Sequence, residues 1–222
     1  MDSMNRKNSP VTIVTGATAG IGLATADLLK KEGYTVYGTS RRPESDSQNG
    51  IAMLACDVTS DESVALVIAE VLRRSGRIDL LVNNAGFGLI AGAEESSIEQ
   101  AKSIFEVNVF GVMRMTNHVL PVMRQQRNGR VINISSVVGF VPAPYYAIYG
   151  ATKHAIDGYP RRSIMKCAGS AFESSQSSQP SHELRSRQIW WLRIGLLRST
   201  TRYANPSSRH RGSRWKRATS RR

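Results

Sequence analysis

Tyr149 and Lys153 stand four residues apart in Tyr-Gly-Ala-Thr-Lys, and Ser136 lies thirteen residues before the tyrosine. Residues at i and i+4 of a helix share one face, so a helix here would set the lysine ammonium beside the phenol. A phenol ionises near pH 10, about three units too high for acid–base work at neutral pH. Closing that gap takes roughly 4 kcal/mol. One ammonium about 4 Å away supplies a comparable amount where the effective dielectric is near 20. A hydroxyl such as Ser136 could then hold a carbonyl oxygen within reach of the phenol. Tyr-x-x-x-Lys is also what an ordinary exposed helix carries, so the pair depends on the elements around it.

Those elements alternate. Val11 to Thr15 is a short, apolar, β-branched run that reads as a buried strand, and Ile21 to Lys31 follows with helical apolar spacing. Tyr34 to Gly38 and Ile51 to Cys56 read as the second and third strands. Asp61 to Arg74 reads as a helix with Val64, Ile68 and Val71 on one face. Ile78 to Val82 is a fourth strand, Ile98 to Gln126 holds two helical stretches, Arg130 to Ile134 is a fifth strand, and Tyr146 to Tyr159 is a helix. Strands alternating with helices predict βαβ units on a parallel sheet, and wholly apolar strands predict a sheet covered on both faces. The expected fold class is therefore α/β, a doubly wound parallel sheet of Rossmann type.

Thr15-Gly-Ala-Thr-Ala-Gly-Ile-Gly22 fills the turn from the first strand into the first helix. Glycine there permits positive φ and lets a pyrophosphate reach backbone amides at a helix N-terminus. The spacing is G-x3-G-x-G, not the G-x-G-x-x-G of other dinucleotide folds. Thr15, Gly16, Thr18, Gly20, Ile21 and Gly22 are the expected cofactor contacts in this turn; a purely structural turn is the alternative. Where an acid after the second strand would select NAD(H), this chain has Ser40-Arg41-Arg42. A hydroxyl and a guanidinium suit a 2′-phosphate, so the expectation is NADP(H) in preference to NAD(H), held by Ser40 and Arg41. Arg42 is equally well a solvated loop charge.

Asp57 and Val58 follow the third strand as further expected cofactor contacts. The carboxylate could accept from an adenine amino group or cap the next helix. Asn83-Asn84-Ala85-Gly86 follows the fourth strand, where small residues would let a cofactor lie against the backbone. Asn108 sits inside a helical stretch although asparagine is a mediocre helix former, and its amide could hold a water or a carbonyl near the lysine. Ser136 falls just beyond the fifth strand.

TGATAGIG, NNAG, Asn108, Ser136 and YGATK, in this order and spacing, resemble the short-chain dehydrogenase/reductase family over about Pro10 to Tyr159. The resemblance implies an oxidoreductase that moves a hydride between C4 of a nicotinamide and a carbonyl or secondary-alcohol carbon. It implies that Tyr149 is the general acid–base and that Ser136 orients the substrate oxygen. Lys153 would lower the tyrosine pKa and bind the nicotinamide ribose, while Asn108 completes a proton relay. Tyr149 and Lys153 are thus cofactor contacts as well; Asn84, Ala85 and Gly86 would line the cofactor, with Asp57 at the adenine. The implied partner is a small-molecule carbonyl or alcohol. Family members commonly pair the helices after the fourth and fifth strands into dimers or tetramers, and the second of those is interrupted here.

The formal net charge of +13 points to nucleic acid only until it is located. Residues 1–159 hold 15 Lys/Arg and 15 Asp/Glu, whereas residues 160–222 hold 15 Lys/Arg against Glu173 and Glu183. That segment has 13 Ser and 13 Arg among its 63 residues and lacks the strand and Pro-Gly or Glu-Pro-Ala turn that the family pattern places there. The genetic code suggests a cause. In the frame starting on the third base of each codon, Met165-Lys166 must read Glu and Trp190-Trp191 must read Val. With permitted codons, residues 160–184 in that frame can read SETLDHEVRGFGIRVITVEPA and run on into TRT. One base missing near codon 160 would explain this. The expected organisation is a catalytic domain over 1–159 and an out-of-frame, poorly ordered segment over 160–222.

The rival reading of that segment is a basic arm that contacts phosphates without sequence specificity. Cys56 and Cys167 form no disulfide framework or metal spacing, and no metal site is expected. The polar N-terminus and the lack of any apolar run near 20 residues lead to an expected cytoplasmic setting with no membrane contact. His118 and His154 are expected on helix surfaces, and Cys56 as a small buried residue at a strand end.

Overall fold

The computed structural model describes residues 9–163. Its strands are β1 (Val11–Thr15), β2 (Thr35–Ser40), β3 (Ser47–Gln48), β4 (Ile51–Ala55), β5 (Leu80–Asn83) and β6 (Arg130–Asn133). They form one sheet in the order β3-β4-β2-β1-β5-β6, parallel except for β3, which pairs antiparallel with β4. Without the two-residue β3, the order is that of a doubly wound dinucleotide fold, with the chain reversing direction across the sheet at β1. The α/β expectation holds. The sheet has a sixth strand that sequence reading missed, because a polar pair between turn residues carries no alternation.

The helices are α1 (Gly20–Lys31), α2 (Asp61–Ser75), α3 (Ile98–Phe105), α4 (Gly111–Gln126) and α5 (Ala147–Ser163). A π-helical turn, Glu106–Phe110, joins α3 to α4 without a break. Successive strand residues point to opposite faces, which divides the core in two. Val11, Ile13 and Leu81 pack with Val64, Ile68 and Val71 of α2 and Met115 and Val119 of α4. Val14, Leu80 and Val82 pack with Ala26 and Leu29 of α1. Every residue of β1 is buried, whereas no residue of β6 is. β6 pairs only with β5 among the described residues and is partly buried, with Val131 packed against one side of the core and Ile132 against the other.

Local signals set the helix ends. The Ser60 side chain accepts the Ser63 amide at the start of α2, Asp61 and Glu62 lie in its first turn, and Gly76 ends it in a left-handed conformation. Ser97 and Gln100 form a reciprocal capping box on α3. Asp79 ties the start of β1 to the segments that lead into β5 and β6: its carboxylate accepts from the Val11 amide at 2.8 Å, from Arg77, and from Asn128 Nδ2 at 3.1 Å. Helix α5 runs four residues beyond Tyr159 to Ser163, past Pro160. The readings made for residues 164–222, including the shifted frame and the basic arm, lie outside the described residues.

Candidate active site

The glycine turn is held from β5. Thr15 Oγ1 accepts the backbone amides of Asn84 and Ala85, each at 2.9 Å. In return, Asn84 Nδ2 donates to the carbonyls of Thr15 and Gly16, each at 3.0 Å. Gly16 and Gly20 have φ of +66° and +58°, the conformation for which glycine is suited. Gly22 lies so close to the Gly16 carbonyl and the Asn84 amide that a Cβ would overlap both. Gln48 of β3 donates to the Thr18 carbonyl at 3.2 Å, a support that sequence reading missed. Thr18 and Gly20 are exposed, Ile21 is half-buried, and the first turn of α1 has neither a side-chain cap nor an acid. Its unpaired amides and the positive end of its dipole are left for an anion.

At the far end of the turn, Ser40 closes β2 and its Oγ accepts the Arg42 amide at 3.2 Å; Arg41 and Arg42 are exposed. Asp57 follows β4. Its Oδ1 accepts from the amide and hydroxyl of Thr59 at 2.9 and 2.8 Å. These bonds hold its carboxyl below the usual range, against the pull of burial and with help from the charges of Arg41 and Arg114. Of the two roles open to Asp57, helix capping belongs to Ser60 instead. Val58 belongs to the core, packed beneath Gly111 of α4. Cys56 is buried, and that burial pushes its thiol up to about 11.

Asn108 occupies the middle of the π-helical turn, 2 % exposed. Its Oδ1 accepts the Phe87 amide at 3.1 Å, and its Nδ2 donates to the Phe87 carbonyl at 2.9 Å and to Thr152 Oγ1 at 3.3 Å. The amide thus ties the loop after β5 to α5. Thr152, fully buried and bonded through its hydroxyl to the Tyr149 carbonyl at 2.7 Å, is a further residue missed in the sequence. Its one signal was a small polar residue directly before the lysine.

Tyr149 and Lys153 share a face of α5, with Lys153 Nζ 5.6 Å from the centre of the Tyr149 ring. Lys153 is 9 % exposed and donates to the Ile134 carbonyl, just past β6, at 2.8 Å. A 3-10 turn, Val137–Gly139, follows Ser136 and packs directly on α5. A Cβ on Gly139 would meet Lys153 Cβ at 3.3 Å, and one on Gly150 would meet the Val138 carbonyl at 3.3 Å. The Ser136 hydroxyl has no hydrogen-bond partner among the described residues. The structure thus brings the Ser136 turn, Tyr149 and Lys153 together at the C-terminal ends of β5 and β6, the end of such sheets where ligands bind. His118 is half-buried and His154 exposed, each bonded to the carbonyl four residues earlier on its helix.

A family model described as short chain dehydrogenase matches residues 10–170. The chain is similar to 3-ketodihydrosphingosine reductase of Bacteroides thetaiotaomicron, 41% identical over 149 residues that cover 67% of this chain and 55% of that protein. Among solved structures it is similar to a short-chain dehydrogenase from Streptomyces avermitilis, at a TM-score of 0.68 and 36% identity, covering 72% of this chain and 62% of that one. It is also similar to ElxO with NADP bound, at a TM-score of 0.69 and 30% identity, covering 73% of this chain and 69% of that one. The chain spans about half the length of the curated relatives it matches, at 55%, 51% and 58% of the first three.

Proposed function

The chain belongs to the short-chain dehydrogenase/reductase family, and from that premise we propose that it reduces a carbonyl, or oxidises a secondary alcohol, with NADP(H). The observation that carries this reading is the Lys153 ammonium 5.6 Å from the Tyr149 ring, on a helix docked against the Ser136 turn.

The residues fit a dinucleotide. The turn from Gly16 to Gly22 offers uncapped helix amides and no Cβ where the chain crosses itself. Ser40 and Arg41 would hold a 2′-phosphate, Asp57 the adenine, the backbone of Asn84, Ala85 and Gly86 the middle of the cofactor, and Lys153 the nicotinamide ribose. When bound, the nicotinamide supplies a hydride at C4 and ends oxidised as the carbonyl carbon becomes a secondary-alcohol carbon. The protein's own part is the proton. Ser136 Oγ donates to the substrate oxygen and fixes it, and the Tyr149 phenol gives that oxygen its proton. Solvent then returns a proton to Tyr149. Asn108, through Thr152 and the Phe87 backbone, sets the distance between the β5 loop and α5. The test is NADPH oxidation with a ketone: saturable binding and turnover are expected in the native chain, with Tyr149→Phe retaining binding and losing turnover at least 100-fold.

A second reading is favoured by the change of composition at residue 160. In it the chain is a nucleotide-binding remnant whose coding sequence lost one base near codon 160. Binding without turnover, together with coding DNA that reads family-like over codons 160–184 in the shifted frame, would select it.

A further inference from the structure

Nine large apolar residues are exposed among the described residues, and six of them sit on two loops beside the catalytic groups. Phe87 and Ile90 lie on the loop after β5; Val137, Phe140, Val141 and Tyr145 lie on the loop after β6. Ile90 and Phe140 are each 67 % exposed and Val137 is 70 % exposed. The loops are joined: the Ala91 amide donates to the Tyr145 carbonyl at 3.0 Å, and Ala91 and Tyr146 form a parallel bridge. The patch reaches the chemistry directly. Val137 adjoins Ser136 in sequence, and the Tyr146 ring lies 6.1 Å from that of Tyr149.

The apolar stretches themselves carry no charge; the carboxylate beside them, Glu95, is turned onto the Gly92 amide at 2.7 Å. Residues 80–93 and 131–152 contain no Lys, Arg, Asp or Glu. A carboxylate, phosphate or polyol on the substrate would have no ionic partner on these loops. Hydrocarbon placed there leaves water together with the side chains it covers. We propose that the substrate of this site is a ketone or secondary alcohol carrying an extended alkyl or aryl group, and that Ile90 and Phe140 select it. The proposal rests on the oxidoreductase reading for its reaction and on the two loops for its specificity. The reduction is the one given above, with hydride to the carbonyl carbon and the Tyr149 proton to its oxygen.

The experiment uses the full chain with NADPH and a series of methyl ketones from 2-butanone to 2-dodecanone, beside dihydroxyacetone and pyruvate. The expected kcat/KM rises about threefold per methylene, close to the value for burying one methylene, and is lowest for the last two compounds. Ile90→Ser with Phe140→Ser, both exposed, is expected to flatten the series while leaving NADPH binding intact. Equal kcat/KM along the series, a preference for dihydroxyacetone or pyruvate, or a slope unchanged in the double variant overturns the proposal. If no ketone turns over, saturation-transfer NMR reads binding of the same series. Affinity rising with chain length and lost in the double variant upholds the apolar mouth while the oxidoreductase reading falls. No trend with length, or self-association abolished by the double variant, overturns the proposal and assigns the patch to a second copy of the chain.

Discussion

Thr15 and Asn84, 69 positions apart in sequence, hold each other from both sides: the Thr15 hydroxyl takes the Asn84 amide while the Asn84 side chain donates to the Thr15 carbonyl. The glycine turn is shaped by this clamp as much as by its glycines. Thr15→Val keeps the volume but leaves the amides of Asn84 and Ala85 without their acceptor. Each orphaned amide costs about 1–3 kcal/mol. We expect a lower melting temperature and NADPH binding weakened by about tenfold or more, read by thermal unfolding and by titration.

Gly22→Ala should separate fold from binding. Alanine favours a helix interior over glycine by about 1 kcal/mol, yet its Cβ would overlap the Gly16 carbonyl and the Asn84 amide. The turn must open to admit it. NADPH affinity is expected to fall at least tenfold, and a calorimetric titration in which Gly22→Ala binds like the native chain would refute the close approach.

Cofactor choice is expected to lie with Arg41. A hydrogen bond to a charged group is worth about 1.5–3 kcal/mol, so Arg41→Ala should weaken NADPH by about tenfold or more. NADH, which has no 2′-phosphate, should change little. Comparing the two dissociation constants at low and high salt checks this, because a charge-dependent preference shrinks as salt screens it.

Asp79 gives a pH dependence with a definite sign. Burial alone would raise its carboxyl, but bonds from Arg77 and the Val11 amide, the Arg77 charge and Asn128 carry it below the ordinary value. Its stabilisation is therefore complete above the unfolded pKa, about 3.9, and is lost as pH falls through the lower folded value. Urea unfolding of the native chain and Asp79→Asn should differ by a constant amount from pH 7 to pH 5. Below pH 4 the difference should shrink.

Much of this was legible because βαβ units write strong signals. An apolar β-branched run such as Val11 to Thr15 and the helical spacing of Val64, Ile68 and Val71 each have few other readings. Contacts between distant segments were harder. NNAG suggested backbone room for a cofactor, but not that Asn84 would give its side chain to the Gly16 carbonyl, because that partner is fixed only when β1 and β5 pair. Asn108 looked misplaced in a helix and is instead central to a π-helical turn, whose one-residue widening leaves no trace in composition. Asp57 offered two roles; its partner Thr59 lies two residues on, in a turn that either role would have allowed.

The strand order also carries a consequence for synthesis. β1 pairs with β2, which follows it directly, and with β5, which is made only after two helices and two further strands. A chain growing from the ribosome has its glycine turn early but lacks the clamp for it until Asn84 has emerged. The Ile134 carbonyl, once made, must in turn wait for Lys153, 19 residues further on. The nucleotide cradle is thus assembled from the first and the middle parts of the chain together, and no nascent fragment shorter than β5 can hold it closed.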